Sequence, residues 1–226
     1  MKLDLFDTYN IRARFCASII LFAPIAITIF FCFEDIITFV NSSLILSILL
    51  AFTNYVPILQ RRIRSSTKHE NYAAMFLHRN DRTIDTITKQ RYYEKLSAAD
   101  NSFSLLLSTE DENTLHACCE SAVVFLRNRT RNNALVLEEN INYGFCKNLM
   151  ANRKPGIALC LISCMIIVAY SLYSFDSLSS VALSIKFAFI ANITLLCFWI
   201  WGINDEVLKA SAIRYAKTLL EAIDSL

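Results

Sequence analysis

Nineteen consecutive residues, Phe15 to Phe33 (FCASIILFAPIAITIFFCF), carry no charged side chain. At about 1.5 Å per helical residue the run reaches roughly 28 Å, close to the ~30 Å of a bilayer's hydrocarbon core. In lipid only a helix or a closed barrel satisfies its own backbone. Three glycines and three prolines in 226 residues leave little material for barrel corners and hairpins. The expected fold class is therefore all-α, a polytopic membrane protein.

The run is too long for a cleavable signal peptide, and a second apolar segment follows at once. Glu34 and Asp35 separate the two, and the second span is placed at residues 44–59, ending at the basic stretch QRRIR. A third span is expected at 156–175 and a fourth at 183–203. The chain then divides into an N-terminal tail and hairpin (1–59), a polar insertion (60–155), and a second hairpin with a C-terminal tail (156–226).

Orientation follows from lysine and arginine near span ends. Of the 22 basic residues, all but Lys186 lie before span one, between spans two and three, or after span four. Both termini and the insertion are thus expected in the cytoplasm, and the hairpins bearing Glu34, Asp35 and Asp176 outside. Lys186 is the exception. Either span four begins late, at Phe187, and the lysine reaches to the outer interface beside those carboxylates, or it lines a watered pathway. Asn41, Ser47 and Asn54 on span two and Asn192 on span four are the other candidates for a wetted wall, although such residues also pack helices together. The acidic outer hairpins would gather cations at a mouth.

The insertion has 96 residues, with fifteen basic and eleven acidic, far more than a connector needs. Its pattern predicts a helix over 82–99 with Ile84, Ile87 and Leu96 on one face. Thr109 with Glu112 predicts a capping box opening a helix through Leu115, Cys118, Val123 and Leu126. A turn is expected at Asn128–Asn133, then a helix from Ala134 feeding span three. SFSLLLS (102–108) fits a strand or a buried helical turn. The helix of span two is expected to continue past Arg61 toward residues 71–79 as a lever.

Arg127, Arg129 and Arg131 on the turn, with Tyr143 and Lys147, are the residue types that grip phosphates and stack on bases; arginines near span ends also simply contact anionic lipid. Five of the eight cysteines lie in apolar runs, and His116 with Cys119 lacks a second pair, so buried thiols rather than a metal site are expected. No phosphate-binding glycine loop, nucleophile elbow, HExxH or CxxC pair is present. No enzyme activity and no cofactor are expected.

The layout of two spans, a helical insertion and two more spans, with LEENINYGFCKNLMANRKPG (Leu137–Gly156) before span three, resembles the four-span effectors of bacterial antiphage defence. It is most similar to the Hailong-type membrane subunit, and in style to the four-span subunit of the Kiwa system. That resemblance implies a homotetrameric ion channel of the inner membrane. Such a channel stays shut until infection and answers a nucleotide or oligonucleotide signal from a partner nucleotidyltransferase. Four short spans would in any case need several copies to enclose a pore. A non-conducting scaffold or sensor that recruits a cytoplasmic partner through residues 60–155 is the alternative.

Overall fold

The computed structural model describes residues 8–32, 71–177 and 179–226 and is all-helical across them. Helix α1 spans Cys16–Cys32, preceded by a π-helical stretch at Asn10–Phe15. Short α2 (Tyr72–Leu77) and α3 (Thr86–Ala99) follow. A 3-10 turn at Asn101–Ser104 leads into α4 (Leu105–Ser108). Helix α5 (Glu112–Arg129) precedes α6, 41 residues from Ala134 to Ser174. Helix α7 (Leu183–Cys197) ends in a second π-helical stretch at Phe198–Gly202. Helix α8 (Asp205–Glu221) closes the chain with a 3-10 turn.

Three helices among the described residues are long and apolar enough to cross a membrane: Asn10–Cys32, the apolar part of Ala134–Ser174, and Leu183–Gly202. The expected second span at 44–59 lies outside the described residues, as do Glu34, Asp35 and residues 60–70. Asn71 is non-helical, so α2 starts afresh at Tyr72.

The chain forms two compact units, one of residues 1–67 with 144–208 and one of 68–143 with 209–226. In the first, the apolar helices share two clusters. Ala17, Leu21, Leu149, Cys160, Trp199 and Ile203 form one, and Cys32, Ile167, Val181, Ile185 and Ala188 the other. Their outward faces carry exposed apolar residues such as Met165, Leu172 and Ile190, as expected of helices solvated by lipid.

The second unit is a helical lobe with its own core. Leu96, Leu106, Leu126, Val123 and Cys119 are fully or almost fully buried in it, and so are Leu219, Leu220 and Ile223 of the C-terminal segment. The tail is thus part of this core. Ser211, Ala212, Tyr215, Ala216, Leu219 and Leu220 form one buried stripe along α8. At the end of that stripe, Asp224 is held by Arg91 and Lys95, both at 3.0 Å.

Two sequence expectations fail here for identifiable reasons. Asp85 caps α3, accepting from Thr88 N at 2.8 Å, so Ile84 precedes the helix and cannot share its face. The buried face is Lys89, Tyr92, Tyr93 and Leu96, and Ile87 is 83% exposed. Likewise Asp111, not Thr109, caps α5, accepting from Thr114 N at 2.9 Å. The core positions Leu115, Cys118, Val123 and Leu126 are buried as expected, and SFSLLLS forms the helical turns.

The end of α2 explains why a lysine lies in the lobe's core. The last carbonyls of a helix lack intrahelical donors. Tyr93 Oη donates to Leu77 O at 2.6 Å, and Lys89 Nζ donates to His78 O at 2.7 Å and Asp81 O at 2.6 Å. Burial pushes the Lys89 ammonium below its ordinary range, opposed in part by the nearby Asp81. The Cys119 thiol is pushed up to about 12 by burial, which makes it an unreactive core residue.

Tyr93→Phe is expected to destabilise the lobe by about 1 kcal/mol and Lys89→Met by about 1–3 kcal/mol, since Lys89→Met orphans two carbonyls. Chemical denaturation of the purified chain, followed by helical circular dichroism, checks both. The capping carboxylates supply a pH dependence. Asp85, Asp100 and Asp111 are held below their usual range by hydrogen bonds from Thr88, Ser102 and Thr114. A depressed carboxylate stabilises the fold above its unfolded pKa and loses that effect as pH falls through the folded value. Lobe stability should therefore decline below about pH 4, and Asp111→Asn should flatten part of that decline in a thermal-melt series.

Candidate functional site

The best-defined polar arrangement among the described residues lies on α6, where Gly144, Asn148, Asn152 and Gly156 recur every four residues. All four are buried. Side chains four apart share one helical face, and small residues let another backbone approach closely. Each end of this row receives one of the two π-helical stretches.

At the first end, a Cβ on Gly144 would stand 2.5 Å from Tyr9 Oη, so the tyrosine occupies the glycine's space. One turn on, Asn148 Nδ2 donates to Ala13 O at 2.7 Å, and Asn148 is 4% exposed. A change of pitch from π to α displaces the backbone hydrogen-bond ladder, and an outside donor at that point compensates it. Arg14 stacks over Tyr9 at 5.7 Å and donates to Asn10 Oδ1 at 2.8 Å, which fixes the tyrosine's entry.

At the other end, Gly156 accepts the Trp199 ring, and a Cβ there would stand 2.4 Å from Trp199 Cε2. Trp199 is fully buried, and its Nε1 has no hydrogen-bond partner among the described residues. Arg153 donates through Nε to Trp199 O at 3.2 Å and through Nη2 to Ile200 O at 2.8 Å. These are last-turn carbonyls, which otherwise lack donors, and a cation suits that end of a helix. Asn204 completes the junction: its Nδ2 donates to Trp201 O at 3.3 Å, while its Oδ1 accepts from Val207 N at 2.9 Å. One side chain thus ends the apolar helix and starts α8.

Between the two apolar clusters lie three buried polar residues. Thr28 Oγ1 donates to Pro24 O at 2.8 Å, and Asn192 Nδ2 donates to Ala188 O at 2.9 Å and approaches Thr28 Oγ1 at 3.4 Å. Asn192 Oδ1 and Ser163 Oγ are buried without partners among the described residues. Asn192 is thus placed against α1 with no exposed surface. Lys186 lies in the first turn of α7, which begins at Leu183; both it and Asp176 are exposed, and among the described residues no ion pair joins them. Asn41, Ser47 and Asn54 lie outside the described residues.

Of the ligand candidates, Arg127 and Arg129 occupy the last turn of α5 and Arg131 the turn after it, all exposed. Arg131 Nη2 donates to Asn128 Oδ1 at 3.2 Å. Tyr143 is half-buried and stacked on Tyr215, with centroids 5.9 Å apart and planes 9° apart. Its ring is committed to the lobe's packing. Lys147 is half-buried farther along α6.

Sequence reasoning grouped Arg153 with the lobe residues suited to a nucleotide, used Gly156 only as the start of span three, and passed over Asn148 and Trp199. The available signal was the four-residue period of glycine and asparagine inside NYGFCKNLMANRKPG. All eight cysteines are free, and among the described residues no cluster of His, Cys, Asp or Glu is arranged to hold a metal. The chain matches no protein-family model, no curated protein and no solved structure.

Gly156→Ala must displace a packed indole and is expected to cost about 1–3 kcal/mol. Gly144→Ala displaces only the end of a tyrosine side chain and should cost less. Thermal unfolding of both variants in detergent tests the order; equal losses would contradict it.

Proposed function

We propose that this chain is a four-span, homo-oligomeric ion-conducting effector of the bacterial inner membrane, with both termini and the lobe in the cytoplasm. Its channel is governed by a signal read at the lobe. The observation that carries the proposal is α6, which is unbroken over 41 residues and carries both lobe core residues (Val136) and an apolar stretch long enough to span lipid. A lobe of this size, built with its own core and the C-terminal helix, is more than a connector requires. Its coupling to the spans makes sense if the lobe reports a state to them, provided the signal binds two arrangements differently.

The expected signal is an anionic nucleotide or oligonucleotide, as the resemblance to the Hailong-type subunit implies. Arg127 and Arg129 support this: they are exposed and form no ion pair among the described residues. The reading agrees with the basic residues clustered at Arg12, Arg14, Arg153 and Lys154 and the acid at Asp176 beyond the third span. The scaffold reading has one observation in its favour. Ile87 at 83% and Leu135 at 72% exposure are apolar side chains that a partner protein would cover.

Purified protein reconstituted in liposomes should pass monovalent cations when an activating oligonucleotide is added. Expression with the signal-producing enzyme should collapse the membrane potential of cells. Replacing Arg127, Arg129 and Arg131 together by Gln should raise the signal concentration required by about tenfold or more, without altering assembly. A lack of flux under every nucleotide, with a protein partner co-purifying through residues 60–155, would replace the channel by the scaffold.

A further inference from the structure

The end of the last span is wound in a way that neither reading above uses. Phe198–Gly202 is π-helix, a form that is rare, holds more residues per turn than α-helix and concentrates at functional positions. Two contacts from α6 hold it. The Arg153 guanidinium engages Trp199 O and Ile200 O, and the Trp199 ring is seated over Gly156. One feature opposes it, because Trp199 Nε1 is buried with no hydrogen-bond partner among the described residues, and such an orphaned donor is destabilising.

We propose that Arg153 is a register latch. With the guanidinium on its two carbonyls, the end of α7 is π-helical and Trp199 is held inside. With the guanidinium withdrawn, the turn relaxes to α pitch, which shifts the residues after it by about one position, or roughly 100° around the axis. Trp199 leaves its seat in that state and its Nε1 gains access to water or headgroup oxygens. Packed helices favour discrete alternatives of this kind over gradual deformation. The α-helical alternative needs no new contact, since α pitch is the default winding of a chain with no proline between Lys154 and Leu226 other than Pro155.

The first π-helical stretch is different. It is linked to α6 by the amide bond from Asn148 to Ala13 O, and it buries no orphaned indole. The latch is therefore assigned to the last span alone. It does not depend on whether the protein conducts.

Trp199 and Trp201 are the chain's two tryptophans, so Trp201→Phe isolates the reporter. The full-length protein carrying 5-fluorotryptophan in lipid nanodiscs should show a major Trp199 fluorine resonance and a minor one in exchange with it. Arg153→Gln should enlarge the minor population by about tenfold and open Trp199 to acrylamide quenching. Arg153→Lys keeps the charge with fewer donors and should fall between. A minor population left unchanged by Arg153→Gln overturns the proposal. Should that variant lose its helical circular dichroism, the wild-type spectrum decides: two exchanging resonances support the latch, and one resonance at all temperatures overturns it.

Discussion

The unit that holds the three long apolar helices depends on one seam, the face of α6 that presents Gly144, Asn148, Asn152 and Gly156. Lipid-facing helices gain little from hydrophobic association, because the surrounding tails are as apolar as leucine. Close backbone approach and hydrogen bonds must hold them together instead. The seam offers both. Its glycines admit Tyr9 and Trp199, and Asn148 and Arg153 serve backbone carbonyls on the incoming and outgoing helices. Larger residues at either glycine would force the neighbouring helix outward and carry the donors away from their carbonyls.

The lobe uses the opposite physics. Its core is a continuous apolar cluster, and its polar groups are concentrated at helix ends. Asp85, Asp100 and Asp111 cap starts, while Tyr93 and Lys89 serve the carbonyls where α2 stops. Its ion pairs at Asp224 are half-exposed, so they orient the last turn more than they stabilise it. Burial of α8 supplies the stability that holds the chain's end in place.

The legible parts of the fold were those set by composition over long windows. Three apolar runs coincide with helices of spanning length, and every regular element of the lobe among its described residues is a helix. Short-range details were less legible because several residues compete for one local role. Thr109 and Asp111 are both good caps, and only the packing of Leu115 and Cys118 decides between them. Ile87 has the spacing of a core residue, yet Asp85 starts the helix one residue after Ile84 and turns Ile87 to solvent. The C-terminal stripe from Ser211 to Leu220 has a clear helical period, but that period does not say which core the stripe joins. The seam was hidden for a related reason. Glycine and asparagine at four-residue spacing carry no apolar signal, and π-helical winding leaves none in composition.

Asn192 shows how far residue type falls short of placement. An asparagine in an apolar helix is equally at home on a wetted wall or against another helix, since both satisfy its amide. Its Nδ2 lies on Ala188 O and near Thr28 Oγ1, and the residue is fully buried. Its Oδ1, like Ser163 Oγ, is left without a partner among the described residues, and in a low-dielectric interior an unpaired acceptor is costly. A layer of this kind between two apolar clusters ties the spans in register: sliding α7 by one turn against α1 would trade the Asn192–Thr28 approach for two separated, unpaired polar groups.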